Sequence, residues 1–182
     1  MNDSSPLHLL KYPIGLLKQK DSYSGEEVNN FLKILEDAPD NYRKTIHQLK
    51  PDDLRKTYRE GGWNIQQLVH HVADIHLLHF LRMKKALTES ESDSGTVIID
   101  MDGWAKTPDA LNAPLEDSLL MFDGINRRYV QLLRTLDEAA LEISYFHPVR
   151  NYRINQAQAM AMSAWHVNHH LAHIKIALGM DL

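Results

Sequence analysis

The chain has no cysteine. Disulfides, thiolate metal ligands and a cysteine nucleophile are therefore excluded, and the composition fits a reducing compartment. Charge of one sign is also scarce. A net charge of -4 with pI near 6.2 gives no electrostatic case for nucleic acid. No apolar run approaches the roughly 18 residues of a membrane span, and the N-terminus lacks the basic-then-apolar pattern of a secretion signal. The expectation is a cytoplasmic protein with no membrane and no nucleic-acid partner. Repeats, low-complexity tracts and linkers are missing too, so the 182 residues read as a single domain, 1–182, large enough to bury a substantial core.

What the chain does have is histidine. Of its 11 histidines, eight lie in two stretches: His70, His71, His76 and His79, then His166, His169, His170 and His173. Both stretches read as helix. His166/His170 and His169/His173 are each i, i+4 pairs, and such a pair can hold one divalent ion because its imidazoles project from adjacent turns. A polar stripe on a helix surface has the same spacing, but two crowded pairs on an amphipathic helix favour a metal site. Without thiolates, the ligands must be His, Asp or Glu, which suits Zn, Ni, Mn or Fe(II).

Residues 1–22 read as an arm in which Pro6, Pro13 and Gly15 prevent a long helix, with a turn at Tyr12–Gly15 and no functional role expected. The first long helix begins at a capping box, Ser24 with Glu27. Pro39 predicts a kink or two abutting helices, and Pro51 an end. His47 reads as a surface residue. The second helix opens at Asn64, with Gln67 three residues on, and runs to about Leu87. Residues 88–113 form a long crossover in which Val97–Ile99 has strand character. Pro114, near N1, starts the third helix. A connection over 137–154, with room for a small hairpin, leads to Asn155 and Gln158, which open the last helix to about Leu178. Four helices with one long crossover after the second describe an all-α four-helix bundle, an architecture that builds metal sites from facing helices.

Spacing leaves the ligand set open. Either pair on the last helix would serve, and on the second helix periodicity favours His71 over His70 only mildly. Asp74, one turn beyond His71, is a candidate imidazole orienter or base.

Gly61-Gly62-Trp63-Asn64-Ile65-Gln66-Gln67-Leu68-Val69-His70-His71-Val72-Ala73-Asp74 resembles the entry to the second helix of the DinB-like superfamily, in particular its YfiT type. That group is named for metal-dependent hydrolases and includes a bacillithiol S-transferase. Trp165 through Ile174 is similar to the family's H-x-x-x-H segment. Leu10–Gly15, Pro108–Pro114 and Phe146-His147-Pro148 match as well, so the resemblance spans nearly the whole chain. It implies three ligands on one divalent ion per subunit, zinc or nickel: His71, His166 and His170. His70, His169 and His173 then become candidates for lining the pocket or orienting the ligands. It also implies a homodimer.

Three neutral nitrogen ligands leave a position open for water or substrate. A hydrolase would use the ion to generate hydroxide near neutral pH. A thiol S-transferase would use it to keep a bound sulfur as thiolate, and the thiol would be a low-molecular-weight one because the chain has none. A metal-stabilised bundle without catalysis is the third reading. An Fe(II) oxygenase is disfavoured, because the ligand set lacks the carboxylate usual for that class.

Overall fold

The structure is a computed structural model and describes residues 5–89 and 97–182. Four long helices carry the fold: α2 (Gly25–Ile46), α3 (Ile65–Thr88), α6 (Leu115–Leu133) and α8 (Gln156–Leu178). Three of them start at complete capping boxes, Ser24/Glu27, Asn64/Gln67 and Asn155/Gln158, in which side chain and backbone bond reciprocally. These local signals explain why the starts were readable. Pro114 is the N-cap of α6, one position earlier than expected. The last helix ends at Gly179, whose positive φ of 68° suits a left-handed cap.

α3 packs on α6 and α8, and α2 also packs on α6 and α8. The cross-helix contacts give the directions. His70 meets Ser118 and His76 meets Asn126, so α3 and α6 run parallel. Arg43 pairs with Glu116 and Arg134 with Glu36, so α2 and α6 are antiparallel. His71 meets His166 while His79 meets Ser163, so α3 and α8 are antiparallel. The parallel neighbours α3 and α6 require the long connection between them to return the chain to its starting end. That connection carries two short helices, α4 (Met101–Trp104) and α5 (Pro108–Asn112). Val97–Ile99 forms no strand; instead the Arg82 guanidinium binds the Val97 carbonyl through Nε and Nη2 at 3.2 and 2.5 Å.

Leu35, Tyr42, Leu68, Val72, Phe122, Tyr129, Met160 and Ile174 are almost fully buried between the four helices. Pro39 neither splits α2 nor ends it. A proline removes the amide that would bind the carbonyl four residues earlier, and here that carbonyl, Leu35 O, accepts a hydrogen bond from Asn126 Nδ2 on α6. A side chain thus replaces the missing backbone donor, and α2 continues to Ile46, stopping before Pro51. The other end of the same amide, Asn126 Oδ1, accepts from His76 Nδ1 at 3.1 Å. Asn126→Leu would leave the Leu35 carbonyl and the His76 N–H both buried without partners, so a loss of about 2–3 kcal/mol is expected. Urea unfolding measures it, and a loss under about 0.5 kcal/mol would show that these bonds carry little of the helix pairing.

Besides α4 and α5, two further short helices were not anticipated. A short helix, α1 (Pro6–Lys11), starts with Pro6 in the first turn, where proline costs nothing, and α7 (Glu138–Glu142) precedes the hairpin. The hairpin is β1 (Ser144–His147) with β2 (Tyr152–Asn155), antiparallel, Ser144 opposite Asn155. The arm after α1 turns at Gly15 and then follows α8. Trp165 Nε1 donates to Gly15 O, Gln19 Nε2 to Gln158 O, and Gln158 Nε2 to Lys20 O.

Candidate metal centre

His71 on α3 and His166 and His170 on α8 place one ring nitrogen each within 4.8 Å of one another. His71 Nε2 and His166 Nε2 are 3.2 Å apart. The His71 and His170 rings stand 4.8 Å apart, and those of His166 and His170 4.5 Å. Trp63 covers this trio, 4.6 Å from the His71 ring and 6.4 Å from that of His170. It is positioned by the loop before α3, where Gly61 takes φ +64° and a Cβ on Gly62 would lie 3.0 Å from the Tyr58 ring.

Burial sets the protonation state. It holds the His71 pKa down to about 3, and pushes His166 and His170 well below the usual 6.5, with the neighbouring imidazoles adding to the shift. All three rings are therefore neutral at physiological pH, the form that binds metal. Two bare Nε2 atoms at 3.2 Å would repel each other, so the pair needs either a shared proton or a cation between them. His166 Nδ1 is buried with no hydrogen-bond partner among the described residues. The residues fit a divalent ion.

A second group, His169, His170 and His173, also brings its nitrogens within 4.8 Å. The hydrogen bonds give it a different part. Lys11 O, a carbonyl, can only accept, so His173 Nε2 donates to it at 3.2 Å. His173 Nδ1 is then the acceptor, and His170 Nδ1, 3.4 Å away, carries the hydrogen. That leaves the lone pair of His170 on Nε2. The His173 ring stacks on Tyr58 at 3.8 Å, which fixes its plane. His169 is sandwiched between Trp165 at 4.3 Å and Tyr12 at 6.0 Å. Burial lowers His169 to about 3 and His173 to about 4. The N-terminal arm, expected to be without a role, therefore supplies the carbonyl and the aromatic ring that orient two of these imidazoles. No pattern in residues 1–22 shows this, because it depends on where the arm lands on α8.

His70 turns away: its Nδ1 lies 2.6 Å from Ser118 Oγ on α6, and its ring touches no other imidazole among the described residues. Asp74 is half-buried and hydrogen-bonds no imidazole among the described residues, so it does not orient one. Burial and the Asp109 carboxylate raise its pKa to about 6.

Two histidines of the first stretch, His76 and His79, had no assigned role and lie against the trio. Ser163 Oγ donates to Ala159 O at 2.8 Å, so it can only accept from His79 Nδ1 at 2.9 Å and from Tyr129 at 3.1 Å. His79 thus keeps its lone pair on Nε2, with its ring 5.7 Å from that of His166. His76, bonded to Asn126, has its ring 6.2 Å from His166. Ser163 and Asn126 are polar residues on otherwise apolar helix faces, and that is the signal by which these partners could have been found.

Beside His166 opens a cavity of about 400 Å³, lined by His79, Arg82, Met101, His147, Arg150 and Trp165 among others. It lies between α3, α8, the hairpin turn and the segment around Met101.

A four-helix bundle in which imidazoles converge from two helices belongs to the class of bundles that could hold a divalent ion through histidine. The chain belongs to the DinB superfamily, whose profile matches residues 34–174. A protein of Oceanobacillus iheyensis named "Putative metal-dependent hydrolase" is 43% identical over 170 residues, covering 93% of this chain and 95% of that protein. YfiT of Bacillus subtilis, with the same description, is 32% identical over 165 residues, covering 91% and 92%. A solved structure of YfiT, described as "a probable metal-dependent hydrolase with an unusual four-helix bundle topology", superposes with TM-score 0.88 at 30% identity, covering 95% of this chain and 99% of that one. No helix of the described residues is long and apolar enough to cross a membrane.

Proposed function

We propose that this protein is a metal-dependent hydrolase in which His71, His166 and His170 hold one divalent ion, zinc or nickel. One observation carries the reading: three neutral imidazoles from two antiparallel helices, those of His71 and His170 buried and that of His166 half-buried, bring their nitrogens within 4.8 Å. Three protein ligands leave a coordination position for water or substrate, as in catalytic rather than structural sites. The chemistry such an ion supplies is activation of water near neutral pH and polarisation of the bond to be cleaved.

The chain's own residues do the rest. Lys11 O and His173 hold His170 in the tautomer that presents Nε2. Trp63 shields His71 and His170 from bulk water. His79, oriented by Ser163, presents its Nε2 beside the cavity, where it can accept a hydrogen bond from a bound molecule. Asp74 is kept as the candidate base from the sequence; its pKa is raised to about 6, but it belongs neither to the histidine groups nor to the cavity wall. Asp74→Asn with activity within about threefold of the parent would remove it from the mechanism.

The test pairs metal analysis with an activity screen. The purified protein should carry about one divalent ion per chain. Its zinc- and nickel-loaded forms should hydrolyse an ester, amide or phosphoester in a chelator-sensitive way. Chelator-sensitive conjugation of a low-molecular-weight thiol to an electrophile, with no hydrolysis, would replace this reading with thiol S-transfer. A full metal complement with neither reaction would favour a metal-stabilised bundle. Light scattering would test whether the chain forms the expected homodimer; a 21.0 kDa species would count against it.

A further inference from the structure

We infer that the cavity beside His166 holds the substrate, and that this substrate is a small molecule with an apolar body and an anionic end, a carboxylate or phosphate, gripped by Arg82 and Arg150. The inference rests on the hydrolase reading for its link to chemistry, since His166 belongs to both the trio and the cavity wall. Its own basis is the composition of the wall.

The chain as a whole is acidic, with 24 Asp and Glu against 20 Lys and Arg. Yet among the described residues no carboxylate lines this cavity, while two guanidinium groups and the His147 imidazole do. Arg82 is only 8% exposed and forms no ion pair among the described residues. Its Nε and Nη2 are engaged by the Val97 carbonyl, which is neutral and leaves the Nη1 donors and the charge without a counterpart among the described residues. A buried charge without a partner is unfavourable. Burial, together with the nearby Arg150, pulls the Arg82 pKa down, as expected for such a charge. Arg150, exposed on the hairpin turn, likewise has no acidic partner among the described residues. A planar oxyanion matches the guanidinium fork and relieves both charges at once.

The remainder of the cavity is apolar. Ile98 is 51% exposed, Met101 52% and Val149 70%, three large apolar side chains from two separate segments meeting at one mouth. Ile75, Leu78 and Met162 continue the apolar wall inward. About 400 Å³ is the size of a small-molecule site. Apolar walls with a few convergent cationic groups select a ligand that is greasy along its length and anionic at one end.

The experiment is calorimetric titration of benzoate, phenyl phosphate and the neutral isostere benzyl alcohol into metal-free and zinc-loaded protein. At least one anion should bind both forms about tenfold or more tightly than benzyl alcohol, and weaken with added salt. Which anion binds tighter tells a carboxylate site from a phosphate site. Arg82→Gln should reduce anion affinity about tenfold or more, with benzyl alcohol unaffected. Arg150→Gln lies on an exposed turn and guards against a folding defect in the first variant; it should show a smaller loss of the same kind. Equal affinity for anion and isostere, or unchanged affinity in both variants, would overturn the inference. So would anion binding that disappears in His170→Ala and persists in Arg82→Gln, because the anion would then be sitting on the metal centre. Anion binding that follows Arg82 in a protein showing no hydrolysis would leave this inference standing and refute the hydrolase reading.

Discussion

His170→Ala is expected to empty the metal centre. The parent should hold about one divalent ion per chain after dialysis, and the variant less than about a tenth of that. Zinc binding free energies for full structural sites run to about 10–16 kcal/mol, so each ligand carries on the order of 3 kcal/mol, and deleting one weakens binding by more than a hundredfold. The flanking histidines should grade around this result according to their contacts. His71→Ala should match His170→Ala, because His71 belongs only to the trio and not to the neighbouring group of His169, His170 and His173. His173→Ala should cost about 10–100-fold in affinity, the usual effect of losing the partner that fixes a ligand's tautomer. His173→Gln, which keeps a donor toward Lys11 O, should recover part of that loss. His70→Ala should leave metal content unchanged, since that ring is bonded to Ser118. Elemental analysis on gel-filtered protein settles each case. Full occupancy in His71→Ala, with loss in His169→Ala and His173→Ala, would move the ion to the other triplet.

The parts of this molecule that could be read from sequence are those written locally. Ser24/Glu27, Asn64/Gln67 and Asn155/Gln158 mark helix starts because a capping box closes within four residues. The bundle was also legible, from four apolar periodicities and one long crossover. What needed the structure was pairing across the bundle. His166/His170 and His169/His173 have identical spacing, and only the facing helix and the arm distinguish them. Family resemblance implies His71, His166 and His170; in the structure these three nitrogens lie within 4.8 Å of one another, and so do those of His169, His170 and His173. Pro39 looked like a break because nothing nearby in sequence reveals that Asn126, 91 residues away, replaces its missing donor. Nothing in the sequence singles out Arg82 or Arg150. They become informative only once α3 and the hairpin turn are seen to share one cavity. The order of the helices was equally hidden: it takes the pairs His70–Ser118 and His76–Asn126 to show that α3 and α6 run parallel.

Lowering the pH should unfold the metal-free protein cooperatively near pH 5, well above the range in which carboxylate titration alone unfolds a domain. An imidazole in the unfolded chain titrates near 6.5. In the folded protein burial holds His71 down to about 3 and His76 to about 4. Between those values the unfolded chain binds more protons than the native one, so stability is full above about pH 6.5 and is lost as pH falls toward the folded values. By pH 5 each of these two groups has given up on the order of 2 kcal/mol. His79, His166 and His170 shift in the same direction for the same reason. Against a typical domain stability of about 5–15 kcal/mol, a handful of such groups is decisive. Asp74 works the other way: its pKa is raised to about 6, so its native carboxyl is penalised above that pH and relieved below it. Asp74→Asn should therefore stabilise the protein above pH 6 and make the acid transition steeper. Zinc or nickel competes with protons for the same nitrogens, so loading should move the midpoint to lower pH. Far-UV circular dichroism against pH, with chelator and with metal, reads all three effects. Stability unchanged between pH 7.5 and 5 in chelator would mean that the histidines of α3 and α8 are protonated at no cost in the native bundle.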